Sequence, residues 1–387
     1  HWSQNVHRYR YVSGNCSWCI SRNTEDGPPV IHQLTITKEV NPMKRIPIYL
    51  LLGVLVLLAA ACAPAQPDTL KVMTHDSFAI SEEVLAEFEQ EHGIRVEFIA
   101  SGDTGSALNK AILSRGNPIA DVFYGVDNTF LSRALDEEIF TPYRSVLLDQ
   151  VPDHFKLDPL NRALPVDFGD VCLNYDIAYF ESLGIDPPTS LEDLLLPEYR
   201  AMTVVQNPAT SSPGLAFLLA TIGHFGESGY LDYWDGLMSN QALVVNDWET
   251  AYYSEFSRSG GSRPVVVSYA SSPPFEVIYA DPPVDEPPTA AITTDGSCFR
   301  QIEFAGILEG TENRQLAEEW IDFMLSEPFQ EDIPLQMFVF PVNQNARLEQ
   351  AFVQYLSIPE NPAEVSPQDI AENREAWIQD WTENVLR

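Results

Sequence analysis

From about residue 70 onward, short runs of β-branched and aromatic residues alternate with stretches whose apolar residues recur at helical spacing. That alternation constrains the fold more than any other feature, because parallel neighbouring strands need a crossover between them and a helix usually supplies it. It predicts an α/β architecture, a mainly parallel sheet flanked by helices. Strands are expected at 70–74, 94–99, 120–124, 202–206, 290–294 and 299–308. Ser81 is placed to cap a helix whose apolar residues Val84, Leu85 and Phe88 share one face, and Gly93 to stop it. Helices are also expected at 107–114, 313–325 and 366–386, the last opened by Ser366 and Asp369 as a capping pair. At 387 residues the chain exceeds one ordinary core, so two lobes are expected, and the extended run 165–175 is long enough to cross between them. The acidic, proline-rich stretch 281–288 reads as a surface linker.

Two of the strand runs end in aromatic residues. Val244-Val245-Asn246-Asp247 leads into Trp248, and Val265-Val266-Val267-Ser268 leads into Tyr269, with Phe275 a few residues on. In an open α/β sheet ligands sit in the loops that leave the carboxyl ends of strands. Trp248, Tyr269 and Phe275 therefore point to a pocket that grips a flat ring, although a single buried Trp or Tyr more often packs a core. The loop 101–106 carries Gly102, Asp103 and Gly105 ahead of a helix. Its spacing fits amides and a carboxylate offered to a solute, and equally a plain turn with an N-cap. Thr210, Ser211 and Ser212 precede an apolar helix whose first turn suits Pro213, so their hydroxyls can cap it, hold a polar ligand group, or do both. Another aromatic-bearing loop is expected at 337–342.

Export is written near the start. Residues 1–42 show no sustained periodicity, whereas Met43-Lys44-Arg45 opens a charged region followed by the apolar run 46–61. That run is too short for a spanning helix and ends in small residues, so 43–61 reads as a signal peptide. The sequence Leu58-Ala59-Ala60-Ala61-Cys62 resembles a bacterial lipoprotein box, with cleavage before Cys62 and lipid on its thiol, and 62–68 as a tether. The alternative is an ordinary secretory signal. The formal charge is −34, and removing residues 1–61 takes away six Lys/Arg and three Asp/Glu, deepening it to −37. Such a surface repels nucleic acid and anionic lipid and attracts cations. Of five cysteines, Cys16 and Cys19 lie upstream and Cys62 is the lipidation candidate, leaving Cys172 and Cys298. In an exported protein two remaining cysteines most often pair.

The blocks Thr74-His75-Asp76-Ser77-Phe78, Gly125-Val126-Asp127-Asn128, Thr210-Ser211-Ser212-Pro213-Gly214-Leu215, Trp248-Glu249-Thr250-Ala251-Tyr252 and Ser268-Tyr269-Ala270-Ser271-Ser272-Pro273 occur in that order. Glu327-Pro328-Phe329-Gln330 and Glu375-Ala376-Trp377 follow them. Together they resemble the thiamine-binding solute receptors of bacterial ABC importers. The resemblance implies a two-lobed type II periplasmic-binding-protein fold with hinge strands between the lobes. Residues 69–167 and 298–387 would form lobe 1 and residues 168–297 lobe 2. It also implies a ligand set of Asp76, Asp103, Thr104, Asp127, Ser211, Trp248, Tyr269, Phe275 and Phe338. Phe275 stands where the family has Tyr, Phe338 where it commonly has Trp, and Thr104 where it has Gly.

Implied with these are a monomeric, lipid-anchored protein in the periplasm or on the outer face of the cytoplasmic membrane, a small-molecule ligand, and an ABC permease as partner. The ligand would be thiamine or its phosphates; no cofactor, metal, catalytic residue or nucleic acid is implied. Thiamine carries a permanently positive thiazolium and an aminopyrimidine, and wants aromatic faces for the cation and a carboxylate for the ring donors. Two alternatives stay open. A thiamine-cleaving enzyme of the thiaminase I type would use a nucleophilic Cys172 with Asp170 or Glu303. A receptor of the same fold for another small solute or for ferric ion would need clustered His, Tyr and carboxylates, and His75, His92 and His154 form no pair at ligand spacing.

Overall fold

The computed structural model describes residues 68–386. The upstream segment 1–42 with Cys16 and Cys19, the signal-like run 43–61, the lipidation candidate Cys62 and the tether up to residue 67 lie outside the described residues.

Among the described residues, eleven strands and eleven α-helices follow one another in a single unit. The first part runs β1 (Thr69–Thr74), α1 (Glu82–His92), β2 (Arg95–Ala100), α2 (Thr104–Leu113), β3 (Val122–Asp127), α3 (Leu131–Asp136) and β4 (Phe140–Thr141). Strand β5 (Leu164–Asp176) leads into the second part, α4 (Ile177–Leu183), β6 (Thr203–Gln206), α5 (Ser212–Phe225), α6 (Tyr230–Ser239) and β7 (Leu243–Val245). A π-helical turn (Thr250–Glu255), β8 (Val265–Tyr269), α7 (Ser272–Ile278) and β9 (Thr289–Ile292) complete it. The chain closes with β10 (Phe299–Leu308), α8 (Arg314–Leu325), α9 (Glu327–Met337), β11 (Phe340–Pro341), α10 (Gln350–Tyr355) and α11 (Pro367–Val385).

Local chemistry explains most boundaries. Ser81 Oγ accepts from the Val84 amide and Gly93 ends α1 in the left-handed region, as a residue without Cβ does at low cost. Ser366 caps α11 through the Asp369 amide at 3.0 Å. Helix α9 is not among the helices expected from the sequence, and its Pro328 and Pro334 disfavour a helix locally. Pro328 sits in the first turn, where its missing N–H is no loss, and the buried face of Phe329, Ile333 and Met337 holds the interior Pro334 in place.

The strand order β2-β1-β3-β10-β5-β8-β6-β7 shows where the expected mainly parallel sheet needs correction. Pairing is parallel within β2-β1-β3 and within β8-β6-β7, but the centre is antiparallel, since β10 pairs antiparallel with both β3 and β5 and β5 does so with β8 and β9. The cause is that β5 leaves the first strand group and β10 comes back to it, so the two connecting strands run in opposite directions. Along β5, residues up to Val171 face β10 and residues from Leu173 face β9. At that handover Cys172 and Cys298, both fully buried, form a disulfide across a Cα–Cα distance of 4.4 Å.

The result is a two-lobed α/β fold with β5 and β10 as the strands between the lobes. Helices cover both groups. Phe88 of α1 meets Trp320 of α8 edge-on at 5.0 Å, and Trp381 of α11 meets Trp234 of α6 edge-on at 5.4 Å. Helix α11 reaches from one group to the other, since Arg374 also donates to the carbonyl of Thr129 just beyond β3.

Candidate functional site

The carboxyl ends of the two parallel strand groups face each other, and β10 lies between them. There they enclose a cavity of about 240 Å³. From the first group come His75, Asp76 and Phe78 after β1, and Asp103 and Thr104 after β2. From the second come Ser212 and Pro213 after β6, Trp248, Glu249 and Tyr253 after β7, and Tyr269 at the end of β8. Glu303 of β10 and the segment from Gln336 to Val339 at the end of α9 complete the lining.

Trp248 stands at the centre of an aromatic wall. It stacks on Tyr252 with ring centroids 5.1 Å apart and planes at 18°, and it meets Tyr253 and Phe338 edge-on at 5.4 and 5.3 Å. Its indole N–H donates to Ser268 Oγ at 3.1 Å, which fixes the ring's rotation about the β7 exit. Phe338 holds φ = 60°, an uncommon conformation for a bulky residue, and its carbonyl accepts from the Ser271 hydroxyl. Phe275 stacks behind Phe338 at 3.7 Å and does not border the cavity. The ring of Tyr269 lies on Gly169, where any Cβ would sit 2.8 Å from its Cδ1.

Polar groups join the two sides. Asp103 caps α2 through the Thr104 amide at 2.8 Å and also accepts from the Trp248 amide at 3.3 Å. The helix therefore begins three residues before the expected 107, with Asp103 as its N-cap, and the capping carboxylate also borders the cavity. Gly105 approaches the other group so closely that a Cβ would lie 2.7 Å from the Ala209 carbonyl oxygen. Tyr269 donates to Gln301 Oε1 at 3.1 Å, and Gln301 Nε2 donates to Ser212 Oγ at 2.9 Å. Ser212 Oγ lies 3.2 Å from Thr104 Oγ1, which donates to the Gly125 carbonyl. Asp76 accepts from the Gly102 amide at 2.7 Å.

Of the nine expected ligand residues, Asp76, Asp103, Thr104, Trp248, Tyr269 and Phe338 border one cavity. Three sit one layer back. Phe275 backs Phe338, Ser211 caps α5 through the Gly214 amide, and Asp127 turns its Oδ1 onto the Thr129 and Phe130 amides. His75, Glu303, Glu249 and Tyr253 border it without having been singled out as ligands. His75 read as an isolated histidine, and Glu303 sits in mid-strand with no local signal. Only the pairing of β10 between β3 and β5 brings it to the cavity floor.

The lining holds four carboxyl groups, Asp76, Asp103, Glu249 and Glu303, and no Lys or Arg. Burial pushes the Asp103 carboxyl up to about 6, partly offset by the hydrogen bonds it accepts from Ser211, Thr104 and Trp248. Burial likewise carries Asp127 to about 7 and Asp167 to about 6, and it raises Glu303 well above the usual carboxylate range, with Asp167 adding to the rise. Burial lowers His75 to about 4, so its imidazole is neutral.

These shifts have a sign. Unfolded carboxyls ionise near pH 4, so between about 4 and 7 the folded chain holds more protons, and stability falls as pH rises through that window. His75 acts oppositely between about 6.5 and 4 and offsets one of the four carboxyls. The ligand-free protein is therefore expected to unfold with roughly 2–4 kcal/mol more resistance at pH 5.5 than at pH 8. Urea titrations at the two pH values check this, and greater stability at pH 8 would contradict it.

Among the described residues no group of three or more His, Cys, Asp or Glu is placed to hold a metal ion, and no helix is long and apolar enough to cross a membrane. Cys172 is bonded to Cys298 and does not border the cavity, so it is not a free thiol there.

Residues 117–357 match the family model described as bacterial extracellular solute-binding protein. The thiamine-binding periplasmic protein of Salmonella typhimurium is 31% identical over 340 residues, covering 86% of this chain and 98% of its own. That of Brucella suis is 30% identical over 334 residues, covering 84% and 94%. Among solved structures a periplasmic thiamin binding protein superposes with a TM-score of 0.72 at 27% identity, covering 84% of this chain and 98% of that one. With a cavity framed by the facing strand ends of two lobes and a family match over most of the described chain, this protein belongs to the bacterial extracellular solute-binding proteins.

Proposed function

We propose that the chain is an exported receptor that captures thiamine or its phosphates between its lobes and hands them to an ABC permease. The observation that carries this is a cavity walled by Trp248, Tyr253, Tyr269 and Phe338, holding four acidic side chains and no Lys or Arg. A flat cation finds ring faces and negative charge there, while an anion without such a cation finds only hydroxyls and amides. Cation–π contacts contribute roughly 0.5–2 kcal/mol each, more where water is excluded. Relatives about 30% identical that are named thiamine-binding support the same ligand. Capture requires lobe closure and no reaction or cofactor, with affinity set by contacts made only in the closed state. A lipid on Cys62 would hold a monomeric receptor at the outer face of the cytoplasmic membrane, near its permease.

Isothermal titration of purified protein with thiamine, thiamine monophosphate and a neutral heterocycle of similar size tests this. Thiamine or its monophosphate is expected to bind at least a hundredfold more tightly than the neutral compound; equal affinities would defeat the proposal. Affinity for thiamine is further expected to fall as pH drops through about 6, by up to about tenfold per pH unit, as Asp103 takes up its proton. An affinity that stays level from pH 8 to 5.5 would exclude Asp103 as a charged partner of the ligand.

A further inference from the structure

Glu303 stands in register with Asp127 of β3 on one side and Asp167 of β5 on the other, so three acidic residues lie abreast on adjacent strands. All three are buried. Tyr124 Oη lies 2.6 Å from Asp167 Oδ2 and 3.1 Å from Glu303 Oε2. A hydroxyl has one proton to give, so both contacts are hydrogen bonds only if one of the two carboxyls carries a proton and donates it back. Asp167 Oδ1 and Asp127 Oδ2 are without partners, and His75 Nε2, itself unpartnered, lies 3.7 Å from Glu303 Oε1. Tyr269 and Asp103 also lie within electrostatic reach of this group, and Arg374 within reach of Asp127. Of the three carboxyls, Glu303 alone borders the cavity.

We propose that Glu303 is a specificity-determining residue that keeps a proton while the cavity is empty and releases it to solvent when a cationic solute enters. The physical reason is charge balance. Adjacent buried carboxylates cannot all ionise without a counter-charge, and the solute is the cation that the lining itself lacks. The neutral Glu303 carboxyl loses one proton to the buffer, the Tyr124 hydroxyl then donates to one of the two carboxylates, and the positive ring replaces the lost charge. A neutral solute displaces no proton and forfeits that gain, which is how the site favours cations. This inference rests on thiamine being the ligand. Its raised carboxyl, held up first by burial and then by Asp167, fits the same picture.

Calorimetric titration of the protein with thiamine at pH 7.5, in phosphate and in Tris, tests it, because the two buffers take up a proton with different heats. Asp103 is already ionised at that pH. The enthalpies are expected to differ by an amount equivalent to roughly half to one proton released per thiamine bound. In Glu303→Gln the difference is expected to vanish; in Glu312→Gln, a surface change away from the cavity lining, it is expected to persist. Should Glu303→Gln fail to fold, infrared difference spectra of wild type decide: loss of a buried protonated-carboxyl band on thiamine binding supports the proposal, and no such loss overturns it. Thiamine heat that is equal in both buffers sinks this inference alone, whereas no thiamine heat in either sinks the receptor proposal and this one with it.

Discussion

Replacing Trp248 by alanine is expected to weaken thiamine binding at least tenfold, a loss of about 1.4 kcal/mol or more. The Trp248 indole, which borders the cavity, is held in place by three constraints. Tyr252 stacks beneath it, Ser268 accepts its N–H, and Asp103 accepts the backbone amide at the start of the turn. Truncation removes a cation–π partner of roughly 0.5–2 kcal/mol, and it also admits water to Phe338, Tyr253 and the acidic lining, raising the local dielectric against the ligand's charge. Because Trp248 is only 6% exposed, the same change opens a void and is expected to cost about 3–5 kcal/mol of stability. Trp248→Phe separates the two effects, since it keeps a ring face and fills most of the volume. Its affinity is expected between those of wild type and Trp248→Ala. Calorimetric affinity unchanged in a folded Trp248→Ala variant would remove Trp248 from the binding surface.

The second large effect concerns the staple at the β5–β10 junction. Changing both Cys172 and Cys298 to alanine is expected to destabilise the protein by about 2–5 kcal/mol and lower Tm by roughly 3–8 °C. The bond closes a loop of sequence separation 126, which encloses the whole second strand group, so the unfolded chain gains much freedom without it. It also pins the point where β5 exchanges β10 for β9, and both sulfurs are fully buried, so removal leaves a small void as well. Denaturant unfolding of wild type and the double variant, both unreduced, measures the difference. Equal midpoints would mean that strand pairing alone secures the junction. Thiamine affinity is expected to change little, because neither cysteine borders the cavity.

Local signals were strong where one face or one turn settles the matter. The expected strand at 299–308 coincides with β10, and Ser81, Gly93, Pro213 and Ser366 mark helix ends where they were placed. These are decisions made within a few residues, by hydroxyl capping, by φ freedom or by a missing N–H, and they are written in the chain. Helix α9 was illegible for the converse reason, since two prolines argue against it locally and packing of Phe329, Ile333 and Met337 overrides them.

By itself, then, the amino-acid sequence determined that this is an α/β chain with aromatic residues at strand ends and two cysteines left to pair. Those properties follow from periodicity and residue chemistry, which act over one to four residues. Tertiary structure alone decided that the sheet's centre is antiparallel, that Phe275, Ser211 and Asp127 stand behind the cavity, and that Glu303 and His75 face it. Those placements depend on β10 returning between β3 and β5, a pairing across about 130 to 180 residues whose register no local pattern encodes.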